Sequence, residues 1–136
     1  IKNRWPSIFE LYDYSDKKTV VQLLSECDLL MIPRKHCPAT KVAFPTKFAE
    51  YLAIGRPVLV NNVDETAELV RQINCGFVAE PNINSIVCTI RNILNISREE
   101  LIQMGMRGKE FAVKELSWEN IGKKYANFLE NLALMK

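Results

Sequence analysis

The first eighty residues alternate between short apolar segments and segments in which apolar residues recur every three or four positions. Alternating apolar and polar residues predict one strand, and continuous apolar runs beside turn residues predict three more. The predicted strands are 8–13, 29–32, 56–61 and 77–79. The helical spacing between them predicts helices at 17–27, 48–55 and 65–73.

From Pro81 onward every periodic segment is helical. Apolar residues at 86–94 share one helix face, and Ser97 with Glu100 forms a capping box for a second helix. Ser117 caps the third, whose apolar side chains follow helical spacing: Trp118, Ile121, Tyr125, Phe128 and Leu132. Such a stripe is typical of a helix that packs on its own chain, and it also suits docking of a partner helix.

The alternation of strands and helices predicts an α/β fold, with a parallel sheet covered by helices and followed by three C-terminal helices. A chain of 136 residues fits one domain. We expect one unit over 1–136, in which 8–80 form the α/β part and 82–135 the helical part. Because ligands of such sheets bind at the carboxyl ends of the strands, the loops 33–46 and 61–65 are the candidate binding loops.

The loop at 33–46 is basic. No acidic residue occurs between Asp28 and Glu50, and this stretch holds four cations: Arg34, Lys35, Lys41 and Lys47. A basic loop that ends at a helix N-terminus, where backbone N–H groups are free, is a candidate anion site. A solvated basic surface loop is the other interpretation, and charge alone does not decide between the two.

Composition narrows the class of protein. The net charge of +2 is too small to indicate nucleic-acid binding, and no apolar run is long enough for a membrane helix. Four scattered cysteines predict reduced thiols, a cytoplasmic protein and no metal site. His36 and Cys37 alone cannot complete a tetrahedral metal site. Because Ile1 is not a normal translation start, we expect a fragment or a processed product of a longer protein.

One phrase is more specific than these general features. Residues 44–58 are Phe-Pro-Thr-Lys-Phe-Ala-Glu-Tyr-Leu-Ala-Ile-Gly-Arg-Pro-Val, followed by Asp-Glu-Thr-Ala-Glu-Leu-Val at 64–70 and Cys-Gly at 75–76. The phrase, with its order of elements, resembles the C-terminal nucleotide-sugar-binding domain of GT-B glycosyltransferases, particularly family 4 (glycosyltransferase group 1). The likeness extends over nearly the whole chain and implies a Rossmann-like parallel sheet.

The resemblance implies transfer of a sugar from a nucleotide-sugar donor to an acceptor, retaining or at least metal-independent, in a cleft between two Rossmann-like domains. The donor is a substrate, so no cofactor is expected, and neither the acceptor nor a catalytic residue is identified. The family's glutamate at the Glu50 position bonds the ribose of the donor, since a carboxylate can accept both hydrogen bonds of a vicinal diol. An ordinary helix-surface glutamate is the other interpretation of Glu50.

The same resemblance implies a loop that contacts the donor's phosphates and sugar, made of Pro45, Thr46, Lys47, Asp64, Glu65 and Thr66. Two departures from the family occur. Asp64 and Glu65 replace a Gly-Gly turn and would bring negative charge toward a pyrophosphate, and Val42 replaces one of two paired glutamates. Glu68, at the family's turn glutamate, is expected to be structural.

The domain is also predicted to be partial. The family's C-terminal domain begins with a strand, a Gly-Arg-Leu-like turn and a Lys-Gly helix, and this chain has no counterpart of them. The chain would therefore supply about four strands of a Rossmann-like sheet, whose strand order is 3-2-1-4-5-6. The strand at 29–32 would then have an open edge, covered by a missing N-terminal domain or another chain, unless 8–13 pairs abnormally.

We therefore expect this piece to be inactive alone, and any peripheral membrane association to depend on absent parts. A non-catalytic binding or assembly module on the same scaffold is the alternative function.

Overall fold

The computed structural model describes residues 8–12 and 16–134. Along this part of the chain the elements are α1 (Lys17–Glu26), β1 (Leu30–Ile32), α2 (Pro38–Val42), α3 (Thr46–Ile54), β2 (Val58–Asn61), α4 (Glu65–Ile73), β3 (Gly76–Ala79), α5 (Ile83–Ile93), α6 (Arg98–Glu115) and α7 (Trp118–Leu134). The predicted α/β class with three C-terminal helices is confirmed.

β2 is the central strand of a parallel sheet with the order β1-β2-β3. Val58 lies opposite Leu30 on one side and opposite Gly76 on the other. Because β2 has a strand on each side and helices on both faces, all four of its residues are buried. The carboxyl ends of the three strands therefore lie along one edge of the sheet.

Different helices cover the two faces of the sheet. The larger core lies on the face of α3, α4 and α6, and its central side chains, Phe48 and Leu52, are fully buried. The smaller core on the other face contains Leu59 and Ile93, the latter from α5. Met31 pairs with Leu59 across the sheet and is 37% exposed, so this second face is less well covered over β1.

α6 packs closely on the end of α3. Gly55 ends α3 in the left-handed conformation, with φ of +85°, which suits a residue without a Cβ. A Cβ at Gly105 of α6 would overlap the Gly55 carbonyl oxygen and lie 2.7 Å from its carbon, and one at Gly108 would lie 2.9 Å from Leu52 Cδ2. The two α6 glycines therefore set how near this helix lies to α3.

Side chains cap the helices at their first turns, and the cap at Ser97 is one that the sequence predicted. Asp16 accepts hydrogen bonds from the backbone N–H groups of Lys18 and Thr19 at the start of α1. Ser97 accepts one from Glu100 at the start of α6. Each of these bonds satisfies a backbone donor that has no partner inside the helix.

The strand predicted at 8–13 is wrong for residues 8–12, which form no strand and are all exposed. Asp13 lies outside the described residues. Apolar alternation produces a strand only where a neighbouring strand supplies the hydrogen bonds, and in the described part of the chain β1 pairs with β2 alone. The sheet there has three strands, not the four expected. The basic loop differs too, because it contains the short helix α2.

α7 has no buried residue in the described chain. Its apolar stripe is exposed, from Trp118 at 90% to Ile121 at 41%. The expectation that this stripe packs on the chain's own core is therefore not met within the part that the structure describes.

Two cysteines have opposite environments. Burial raises the pKa of the Cys75 thiol to about 11. Hydrogen bonds from Thr40 lower the pKa of the Cys37 thiol, with smaller contributions from the Ala39 backbone and the positive charge of Arg34. The Cys37 sulfur lies 3.4 Å from the Thr40 hydroxyl oxygen. At neutral pH Cys37 therefore holds more of the nucleophilic thiolate than its ordinary pKa would give.

We expect Thr40→Val to slow alkylation of Cys37 by iodoacetamide at pH 7 and to shift its rate-against-pH curve to higher pH. Thr40→Ser keeps the hydroxyl and should restore the original curve. Peptide mass spectrometry gives the rate for each thiol, and Cys75 should stay unmodified until the protein unfolds. A curve that is the same in wild type and Thr40→Val would contradict the assignment.

Two glycine substitutions test the packing of α6. Gly105→Ala should destabilise the domain by about 1–3 kcal/mol, as overpacked cores do, although alanine is the better helix former. Gly122→Ala in α7 is the matched control, because a Cβ there has no neighbour within 4 Å. It should be neutral or stabilise by up to about 1 kcal/mol. The thermal unfolding midpoint of the intact protein reports both effects, and equal midpoints for the two variants would exclude the packing constraint.

Candidate functional site

A cleft lies at the carboxyl end of β1, beside the start of α3. Its volume is about 500 Å³, and its lining residues are Met31, Ile32, Pro33, Arg34, Pro45, Thr46, Lys47 and Tyr51. The lining comes from two chain segments, the end of β1 with its following loop and the first turns of α3. The cleft thus occupies the edge of the sheet where ligands of parallel α/β folds bind.

Arg34 is held in the wall of this cleft by three contacts. Its backbone N–H donates to Asn61 Oδ1 at 2.8 Å, and its Nη1 donates to the carbonyl oxygen of Ala43 at 2.7 Å. Nη1 also donates to Oδ2 of Asp64 in an ion pair. The side chains of Arg34 and Asp64 are only 16% and 2% exposed, so the pair is largely shielded from water.

Asp64 has two roles at the start of α4. Its Oδ1 accepts hydrogen bonds from the backbone N–H of Thr66 at 2.9 Å and from the Thr66 hydroxyl at 2.5 Å. Its Oδ2 accepts from Arg34. The Asp64 charge is thus compensated inside the protein, which differs from the expectation that it would face a pyrophosphate. Arg34, one of the four cations of the basic stretch, is likewise paired, because Asp64 is its partner.

Asn61 connects the ends of all three strands and was missed by sequence reasoning. Its amide oxygen accepts from the backbone of Arg34 after β1, and its Nδ2 donates to the carbonyl oxygens of Ala79 and Glu80 at the end of β3, both at 3.3 Å. The side chain is 4% exposed and fully hydrogen-bonded. The sequence signal for this role was a polar residue at the end of the apolar run of β2.

The structure brings most of the predicted donor loop together. Pro45, Thr46 and Lys47 line the cleft, and Asp64 reaches it through Arg34. Thr66 is buried, and Glu65 is exposed in the first turn of α4. The remaining departure, Val42, is 85% exposed on α2.

Glu50 lies one turn beyond Lys47 on α3 and is exposed. Positions three and four apart share a helix face, so Glu50 lies on the side of α3 that carries Thr46 and Lys47. Its carboxylate is not among the groups lining the cleft and has no hydrogen-bond or ion-pair partner in the described part of the chain. Both of its oxygens are therefore available to a ligand.

Residues 8–12 and 16–134 lack two kinds of feature. No group of three or more His, Cys, Asp or Glu side chains is arranged to hold a metal ion. No helix in this part combines the length and the apolar character needed to cross a bilayer.

Comparison with known proteins finds both solved structures and curated proteins that are similar to this chain. The chain resembles sucrose-phosphate synthase from Thermosynechococcus elongatus with a TM-score of 0.76 at 20% identity, over 93% of this chain and 31% of that one. This likeness shows the fold, and the predicted Rossmann-like architecture of a GT-B C-terminal domain is confirmed.

One curated protein that the chain matches is the GDP-mannose-dependent alpha-(1-6)-phosphatidylinositol monomannoside mannosyltransferase of Mycobacterium tuberculosis. It is 28% identical over 83 residues, which are 60% of this chain and 21% of that protein. The chain thus spans about a fifth of the length of this relative. The sequence model described as Glycosyl transferases group 1 matches residues 9–111, and the chain belongs to this family.

Proposed function

We propose that this chain forms the nucleotide-sugar-binding part of a glycosyltransferase, which transfers a sugar from that donor to an acceptor with retention and without a metal ion. The observation that carries the proposal is the cleft between β1 and α3, into which the family phrase brings Pro45, Thr46 and Lys47. The chain spans about a fifth of this relative's length, and in this proposal transfer requires the whole protein.

The first turn of α3 suits the donor's phosphates. Pro45 caps this helix without a side-chain hydrogen bond, so the backbone N–H groups of Thr46 and Lys47 are not occupied by a cap. Free N–H groups and the positive end of the helix dipole attract anions. The Lys47 ammonium adds a full charge at the same place. These features favour an anion site over a merely solvated basic loop.

Glu50 suits the donor's ribose. Its exposed carboxylate has no partner among the described residues, and it follows Lys47 by three positions on the same helix face. An ionised carboxylate accepts two hydrogen bonds, which matches the two hydroxyl groups of a ribose. Phosphates at the start of α3 and ribose one turn later would place the nucleotide along the helix.

The chemical role that follows is stabilisation of the leaving diphosphate. Charge develops on that group as the bond to the sugar breaks, and fixed cations and N–H donors stabilise it most in a site shielded from water. Lys47 supplies here the positive charge that a metal ion supplies elsewhere. No residue of this chain is assigned as a general acid or base.

The remaining features of the proposal concern the surroundings. An acceptor-binding domain outside this chain would close the cleft and cover the free edge of β1. All four cysteines are free, which suits a reducing compartment such as the cytoplasm. The alternative, a non-catalytic module, is favoured by Val42 at the position of a family glutamate. The negative charge of Asp64 does not favour it further, because Arg34 compensates that charge inside the protein.

Glu50→Ala should weaken binding of the matching nucleoside diphosphate by the intact protein by about tenfold or more, because hydrogen bonds to a charged group are lost. Calorimetric titration with UDP, GDP and ADP measures the affinity and identifies the base. Glu110→Ala, at an exposed position of α6, is the matched control and should bind as wild type does.

Unchanged affinity in Glu50→Ala would remove this residue from the site. If the wild-type protein bound none of the three nucleotides, the donor-binding function itself would be refuted and the non-catalytic module would be favoured.

A further inference from the structure

The Arg34–Asp64 ion pair joins segments thirty positions apart in the chain. One partner follows β1 and the other caps α4, so the pair links the loop of the cleft to the next strand-to-helix turn. Both side chains are mostly buried, and removing charges from water is costly. Capping of α4 does not require a buried charge, because a neutral Asn caps helices as well as Asp does. The pair therefore has a role to be explained beyond capping.

The remaining donors of Arg34 indicate that role. A guanidinium group has five N–H donors, and only Nη1 has acceptors in the described part of the chain, namely Ala43 and Asp64. Nε and Nη2 have none there. Arg34 lines the cleft between β1 and α3. It also lines a second cavity of about 220 Å³, together with Asn61 and Asn82. Arg34 thus lines both cavities at the carboxyl edge of the sheet and has donors that no acceptor among the described residues occupies.

We propose that Arg34 binds the diphosphate of the donor and that Asp64 is a positioning residue which holds the Arg34 guanidinium in place. The inference rests on the proposed donor-binding function and adds a specific phosphate contact to it. The planar guanidinium donates two parallel hydrogen bonds to phosphate oxygens, and a side chain already fixed loses little rotamer freedom when it does so.

This arrangement also assigns a function to the acidic turn. Asp64 directs both of its oxygens toward protein donors, Thr66 and Arg34, rather than toward a ligand. The net charge of Arg34 and Asp64 together is zero, so Lys47 supplies the excess positive charge and Arg34 supplies directional hydrogen bonds. Affinity for the phosphates should then depend on the geometry of Arg34 as well as on its charge.

The test needs variants that keep the fold. Arg34→Gln alone would leave the buried Asp64 carboxylate unpaired, so the main variant is the double change Arg34→Gln with Asp64→Asn, which removes both charges and keeps a capping side chain. Asp64→Asn alone keeps Arg34 but removes the charge that holds it. Arg107→Gln is the control, because Arg107 is also fixed by a backbone acceptor, Asn74 at 2.8 Å, on another part of the surface.

Calorimetry and ligand-observed NMR on the intact protein would measure affinity for the nucleoside diphosphate that wild type binds and for the matching nucleoside. The double variant should lose about tenfold or more in diphosphate affinity, with nucleoside affinity unchanged. Asp64→Asn should show a smaller loss of the same kind, and Arg107→Gln should show none. Glu50→Ala, by contrast, should weaken both ligands.

Three results would overturn the proposal. Equal losses for nucleoside and diphosphate in the double variant would show that the pair only maintains the fold, and unchanged diphosphate affinity would exclude Arg34 from the site. A wild-type protein that binds no nucleoside diphosphate would refute the donor-binding function and this inference with it, and that outcome is recognisable before any variant is made.

Discussion

The close packing of α6 on α3 is the constraint on which the candidate site depends. Gly105 and Gly108 let the two helices approach until a methyl group would overlap the turn at Gly55 or the side chain of Leu52. α3 packs on the sheet through Phe48 and Leu52, and both side chains are fully buried. Since the first turn of α3 forms one wall of the cleft, the position of a helix remote from the ligand determines the geometry of the site.

Charge compensation is the second physical feature of the site. The turn before α4 carries acidic residues where a phosphate site would favour none, and the buried pairing with Arg34 compensates the charge of Asp64. Asn61 adds neutral hydrogen bonds that tie the ends of the three strands together. The edge of the sheet is thus a connected polar network, beside which Lys47 has no ion-pair partner among the described residues.

Local sequence patterns predicted most of the fold. The runs at β1, β2 and β3 and the cap at Ser97 depend on neighbouring residues, so the sequence contains their signals. The strand prediction was wrong for residues 8–12 because a strand needs a partner strand, which a local alternation of apolar and polar residues does not reveal. α2 was missed because five residues are too few to show a helical period.

The site was less predictable than the fold. The phrase at 44–58 located the cleft, but the partner of Arg34 lies thirty positions away, and no local pattern connects the two. The sequence predicted a basic loop around Arg34 and an acidic turn at Asp64, because each residue was taken to be without a charged partner. The folded chain cancels these two charges and leaves a different distribution of donors.

A crystal structure of the intact protein with its nucleotide-sugar donor bound would test the central claim most directly. We expect the diphosphate at the first turn of α3, within hydrogen-bond distance of Lys47 and Arg34, and the ribose hydroxyls at Glu50. A nucleotide bound elsewhere on the chain, or one in this cleft without contact to any of these three residues, would contradict it.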